Sequence, residues 1–163
     1  MAPLRSELSL DFVIANGENP AGGYGITLDI VQELQDCRAD VISSGNHIWD
    51  QKAVIPYMDS GIRLMRPANY ADAPGSGCFV TDDLLVVNLM SRVFMPALDC
   101  PFRTVDRILE QMTIDHSYKA MAVDFHTEAT SEKQGMGWYL DRRVEWSCWY
   151  SYPCWPSGCA GFD

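Results

Sequence analysis

Ala39-Asp40-Val41-Ile42-Ser43-Ser44-Gly45-Asn46-His47-Ile48-Trp49-Asp50 is the stretch on which the fold turns. Its apolar, β-branched start makes Asp40 to Ser43 a short buried strand. Gly45 then permits a tight backbone, and Asn46 and His47 offer a carboxamide and an imidazole at the strand's mouth. Two other stretches end alike. Phe12-Val13-Ile14-Ala15-Asn16 runs into Gly17-Glu18-Asn19, and Ala120-Met121-Ala122-Val123 runs into Asp124-Phe125-His126. In α/β folds, ligands gather beyond the C-terminal ends of strands. Three strands that each deliver Glu, Asn or His there imply one metal site.

Outward from this stretch, helices alternate with strands. A helix end is expected within residues 1–10 and a strand over Asp11 to Asn16. Gly17 to Gly25 is a glycine-rich loop without the Gly-Lys-Ser/Thr of a P-loop or the spacing of a dinucleotide fingerprint. Thr27 caps a helix over Leu28 to Cys37, with Ile30, Val31 and Leu34 inward. A second helix is expected over Gln51 to Asp59, stopping at Gly61, and then an extended Arg63 to Met65. Cys78 to Val80 and Leu84 to Leu89 read as a hairpin about Asp82-Asp83. An irregular loop over Ser91 to Pro101 leads to a helix over Phe102 to Met112, a strand over Lys119 to Asp124 and a helix over Thr130 to Leu140. The alternation argues α/β. With no repeat and no linker, residues 1–144 are expected to be one domain and 145–163 a tail foreign to it.

At 163 residues, 47% hydrophobic and 21% charged, the chain can bury a core. A formal charge of −10 disfavours a nucleic-acid groove, which needs clustered Lys and Arg. It does not disfavour a small phosphate substrate, because bound cations supply local positive charge. No apolar run reaches the length of a membrane span, and no signal peptide is visible, so a cytoplasmic location is expected. Room is left for a homo-oligomer. Cys37, Cys78 and Cys100 read as buried thiols acting as small apolar residues. Cys148, Cys154 and Cys159 lack the paired spacing of a zinc knuckle.

The candidate ligands form a mixed oxygen and nitrogen set. Glu18 is a hard carboxylate able to bridge two cations, Asn19 and Asn46 add neutral carbonyl oxygens, and His126 adds imidazole nitrogen. Such a set suits Mn, Fe or Zn better than Ca. Two cations about 3.5–4 Å apart activate water and clamp the oxygens of an in-line phosphoryl displacement. A neutral Asn beside His47 leaves that imidazole to protonate a leaving alkoxide. Taken alone, Gly-Asn-His is most often a turn, and a histidine after a strand is most often a hydrogen-bonded core residue. The joint pattern carries the expectation. His116 reads as a surface residue, and Met90, Met95 and Met112 as packing.

Asp11 to Asn19, Gly45 to Asp50, Arg66-Pro67-Ala68-Asn69-Tyr70, Asn88 with Arg92 to Pro96, and Val123 to Lys133 together resemble the YmdB-like family of bacterial metallophosphoesterases. The likeness runs from about Leu4 to Val144. It implies a calcineurin-like β-sandwich flanked by helices and two divalent metals, Fe or Mn, with Mg or Zn as alternatives. It also implies hydrolysis of phosphodiesters such as 2′,3′-cyclic nucleotides. Glu18 would bridge the metals, Asn19 would bind one, Asn46 and His126 the other, and His47 would be the proton donor. Arg66 and Asn69 would line the site.

Two departures accompany the likeness. The family opens with a strand ending in a ligand Asp, for which the sequence has no counterpart. It also carries Gly-Thr-His-Thr-His-Val, with two ligand His, where Glu145 to Trp155 stands here. One codon choice for Trp149 to Trp155, TGG TAC TCA TAC CCA TGT TGG, gives that motif when read one base later. A frameshift close to Val144 is therefore expected, together with an incomplete fold and impaired or absent turnover. The rival expectation is a non-catalytic remnant that binds no metal.

Overall fold

The computed structural model describes residues 2–115, 118–144, 146–150 and 159–161, and of these 2–4, 113–115, 146–150 and 159–161 by backbone alone. The chain divides into two compact units. One is Met1–Arg66 with Pro74–Ser76, and the other is Pro67–Ala73 with Gly77–Asp163.

The first unit holds helix α1 (Ala2–Glu7), strand β1 (Ile14–Asn16), helix α2 (Leu28–Asp36) and strand β2 (Val41–Ser43). β1 and β2 pair in parallel, with Asn16 opposite Ser43, so the two loops that follow start level with one another. Asp40 staples the start of this pair. Its carboxylate accepts from Val13 N at 2.8 Å, and its own N–H donates to the Val13 carbonyl at 2.9 Å. Arg5 pairs with the same carboxylate at 3.0 Å. α2 begins where expected, with Thr27 Oγ1 accepting from Ile30 N at 3.5 Å. Its Val31 joins Ile26, Ile42, Ile48 and Val54 in the unit's core, while Ile30 and Leu34 pack against that core. Each fully buried aliphatic side chain contributes about 1.5–3 kcal/mol.

The expected helix over Gln51 to Asp59 is not there. The segment forms turns and one 3₁₀ turn, Ile55–Tyr57. Pro56 explains this, since it has no N–H for a helical bond and disfavours helical geometry at the residue before it. The extended segment after Gly61 survives as two isolated bridges, Ile42 with Leu64 and Met65 with Ser76.

The second unit is built on a sheet of five strands in the order β3 (Cys78–Val80), β4 (Leu84–Met90), β5 (Ala120–His126), β6 (Trp146–Tyr150) and β7 (Cys159–Gly161). β4, β5 and β6 are parallel, and the outer pairings are antiparallel. Helix α3 (Pro101–Asp115) precedes β5, and α4 (Thr130–Leu140) follows it. The β3–β4 turn is held by Thr81 Oγ1, which accepts from Leu84 N at 2.9 Å and Asp83 N at 3.3 Å.

Alternation along the strands sorts chemistry from core. Leu85, Val87 and Leu89 of β4 and Met121, Val123 and Phe125 of β5 pack with Val105, Met136 and Leu140. The opposite positions are Val86, Asn88 and Met90, in register with Ala122, Asp124 and His126. β5 runs two residues beyond its expected end at Asp124, so His126 is the last residue of the strand rather than of a loop.

The mixed α/β class is as expected. The expectation of missing C-terminal strands meets backbone at Trp146–Tyr150 that pairs in parallel with β5, Ala122 opposite Trp146 and His126 opposite Tyr150. Cys37, Cys78 and Cys100 are free thiols that are half-buried rather than buried, and His116 and the side chains of Cys148, Cys154 and Cys159 lie outside the described residues.

Candidate metal and phosphoester site

Within the first unit, the loops after β1 and β2 converge on one carboxylate. Gly17 N donates to the Ser43 carbonyl at 2.7 Å, and Glu18 N to Asn16 Oδ1 at 3.1 Å. Glu18 is fully buried. Its Oε1 accepts from the backbone N–H of His47 at 3.1 Å. A Cβ built on Gly45 would lie 2.5–2.8 Å from the Glu18 carboxylate, so this position must be glycine for Glu18 to sit where it does. Ser44 Oγ donates to the Met65 carbonyl at 2.6 Å and anchors the same turn from the other side.

Asn19 stands next to Glu18. Assigned so that its amide nitrogen faces acceptors, it can donate to the Gly23 carbonyl at 2.8 Å and to the Glu18 carbonyl at 3.2 Å, which would turn its side-chain oxygen the other way. Asn46 and His47 open the 3₁₀ turn Asn46–Trp49 and are both half-buried. The His47 ring touches two neighbours. Nδ1 lies 2.6 Å from Asp50 Oδ2, and the Tyr24 ring meets it edge-on, with centroids 4.9 Å apart and planes at 75°. Gly25, at φ +70°, packs its backbone against the His47 carbonyl so closely that a Cβ would overlap it.

In the second unit, His126 is 1% exposed, and its carbonyl accepts from Ser91 N at 2.8 Å. Asp124 and Asn88, both buried, share its face of the sheet and are register partners. The structure thus groups Glu18, Asn19, Asn46 and His47 in one unit and sets His126 in the other. Asn88 and Asp124 had no role in the sequence expectations. The signal for them was a polar residue in the middle of an otherwise apolar strand.

Asn69, expected to line the site, is buried and holds backbone. Its amide nitrogen donates to the carbonyls of Met90 at 2.8 Å and Asp99 at 3.0 Å, and its oxygen accepts from Met90 N at 2.9 Å. It clamps the end of β4 to the loop before α3. Arg66 donates from Nε to the Pro74 carbonyl at 3.3 Å.

The donor chemistry fits a divalent cation. A fully buried carboxylate needs positive charge close by, and two neutral amide oxygens can add ligation without adding repulsion. Among the described residues, no three His, Cys, Asp or Glu side chains cluster as a metal site.

The fold and its polar side chains define an α/β protein with Glu, Asn and His at strand ends. The family model for YmdB-like protein matches residues 1–148, and the chain belongs to that family. A 2′,3′-cyclic-nucleotide 2′-phosphodiesterase of Bacillus subtilis (strain 168) is 40% identical over 146 residues, covering 86% of this chain and 54% of that protein. A hypothetical protein of Thermus thermophilus superposes with a TM-score of 0.80 at 38% identity, covering 90% of this chain and 57% of that one. A novel phosphatase from Mycoplasma pneumoniae superposes with a TM-score of 0.76 at 27% identity, covering 88% and 53%. The chain spans about half the length of the curated relatives it matches, 53–54%. Among the described residues, no helix is long and apolar enough to cross a membrane.

Proposed function

We propose that the chain belongs to a metal-dependent phosphodiesterase of calcineurin-like fold that hydrolyses 2′,3′-cyclic nucleotides or similar small phosphodiesters. The observation that carries this reading is the buried Glu18 carboxylate, seated in the space a Gly45 side chain would fill, beside Asn46 and His47. The Bacillus relative, named for that activity, supports the substrate class. Glu18, Asn19 and Asn46 of the first unit would hold divalent metal, Fe or Mn, and the family resemblance assigns His126 as a further ligand. When bound, the metals would activate water and stabilise charge on the phosphoryl oxygens. His47 would protonate the leaving oxygen.

Turnover by this polypeptide should be weak. Trp149 to Trp155 stands where the family resemblance calls for two ligand histidines. Fewer ligands lower metal affinity. We infer that residues 145–163 are read in a shifted frame. The coding DNA decides this, since the next frame must spell the histidine pair. Hydrolysis of 2′,3′-cyclic AMP by Mn²⁺-loaded protein, with the native chain and a frame-restored chain side by side, tests the whole reading. The restored chain should be faster by at least about tenfold, the lower end of what lost metal support costs. Equal rates would contradict the assignment of the tail, and no hydrolysis by either chain would contradict the function.

A further inference from the structure

We propose that Asp50 is a positioning residue that fixes the tautomer of His47. Its consequence for catalysis rests on the phosphodiesterase reading above, but its structural content does not. The 3₁₀ turn Asn46–Trp49 closes with Asp50 N donating to the His47 carbonyl at 3.1 Å. In such a turn, side chains three residues apart eclipse one another. Asp50 Oδ2 therefore meets His47 Nδ1 at 2.6 Å. An ionised carboxylate can only accept, so the ring proton resides on Nδ1.

The rest of the residue is held as firmly. The His47 N–H is bound to Glu18 Oε1, its carbonyl is packed by Gly25, and the Tyr24 ring closes on its edge. Tyr24 is itself tethered, its carbonyl accepting from Gln51 Nε2 at 2.9 Å. With Nδ1 committed to Asp50, Nε2 is the atom that exchanges a proton with a ligand.

The bond changes are then consistent. Starting from the imidazolium, which carries a proton on each ring nitrogen, the bond from phosphorus to the leaving oxygen breaks with its electron pair on that oxygen, which takes the Nε2 proton. A bond forms from phosphorus to the oxygen of water, whose lost proton returns to the ring through solvent. The imidazole is left carrying only its Nδ1 proton, the tautomer Asp50 selects. Replacing the orienting carboxylate of a catalytic histidine by an amide can leave geometry intact and invert this tautomer.

The test is the long-range ¹H–¹⁵N spectrum of His47 in the full chain, recorded where the ring is neutral. The native protein should show Nδ1 protonated and Nε2 bare. Asp50→Asn, whose amide can donate to Nδ1, should move most of the proton to Nε2, and Asp50→Glu should keep it on Nδ1. The Asp50 side chain is 52% exposed, so neither change removes buried packing. An Nε2–H tautomer in the native protein, or an unchanged tautomer in Asp50→Asn, would overturn the proposal. The spectrum requires neither metal nor turnover. Absence of hydrolysis by the frame-restored chain as well as the native one would therefore sink the phosphodiesterase reading while leaving this result to stand by itself.

Discussion

Gly45 is the residue at which sequence and site meet most closely. Its lack of a side chain lets the Glu18 carboxylate sit directly over the turn that presents Asn46 and His47. Gly45→Ala should therefore be a lesion in metal binding as well as in packing. Overpacking of this kind costs about 1–3 kcal/mol. Thermal denaturation should show that loss, and metal titration should show Glu18 displaced. An alanine variant with unchanged melting and unchanged metal uptake would be inconsistent with the geometry. Glu18, Asn46 and His47 could be singled out in the sequence because a short strand, a glycine and a polar pair follow one another directly. The backbone partners of Asn69 could not be read from the sequence. Those partners, Met90 and Asp99, are 21 and 30 positions away, and a carboxamide gives no hint of which distant backbone it will bind.

At the scale of elements, capping and alternation are legible in the sequence, and a proline accounts for the helix that does not form. Thr27, the β3–β4 hairpin and α4 follow from local rules. The run from Gln51 to Asp59 has helix-like composition, yet Pro56 limits it to a single 3₁₀ turn. α3 extends from Pro101, where proline suits the first helical position.

α3 is tied to α4 and the residues after it by a polar cluster. Tyr139 O–H donates to Asp106 Oδ2 and Arg143 Nη2 to Asp106 Oδ1, each at 2.6 Å. The Tyr139 hydrogen bond, and then that of Arg143, holds the Asp106 carboxyl below its ordinary value of 3.8. The same contact pushes the Tyr139 hydroxyl up. A depressed carboxylate stabilises the fold above its unfolded pKa, and that stabilisation is lost as pH falls through the folded value. Asp106→Asn should thus be less stable than the native chain at neutral pH, with the difference shrinking below about pH 4. Urea denaturation across that range measures it. The cluster is partly exposed, so the effect is small. A difference independent of pH would contradict the role given to Asp106.

For the whole molecule, two compact units each carry candidate ligands. One holds Glu18, Asn19 and Asn46, and the other holds His126 on the polar face of its sheet. The sequence made each strand end visible because apolar runs stop abruptly at polar residues. It could not reveal β6, because side-chain pattern gives no period there while the pairing with β5 is a property of backbone. The central claim is that Glu18 anchors a divalent metal site. Mn²⁺ bound per chain, measured at equilibrium for the native protein and for Glu18→Gln, tests it most directly. Saturable binding by the native chain, weakened about tenfold or more by the substitution, is the predicted result. No Mn²⁺ uptake by the native chain, or equal uptake by both proteins, would contradict it.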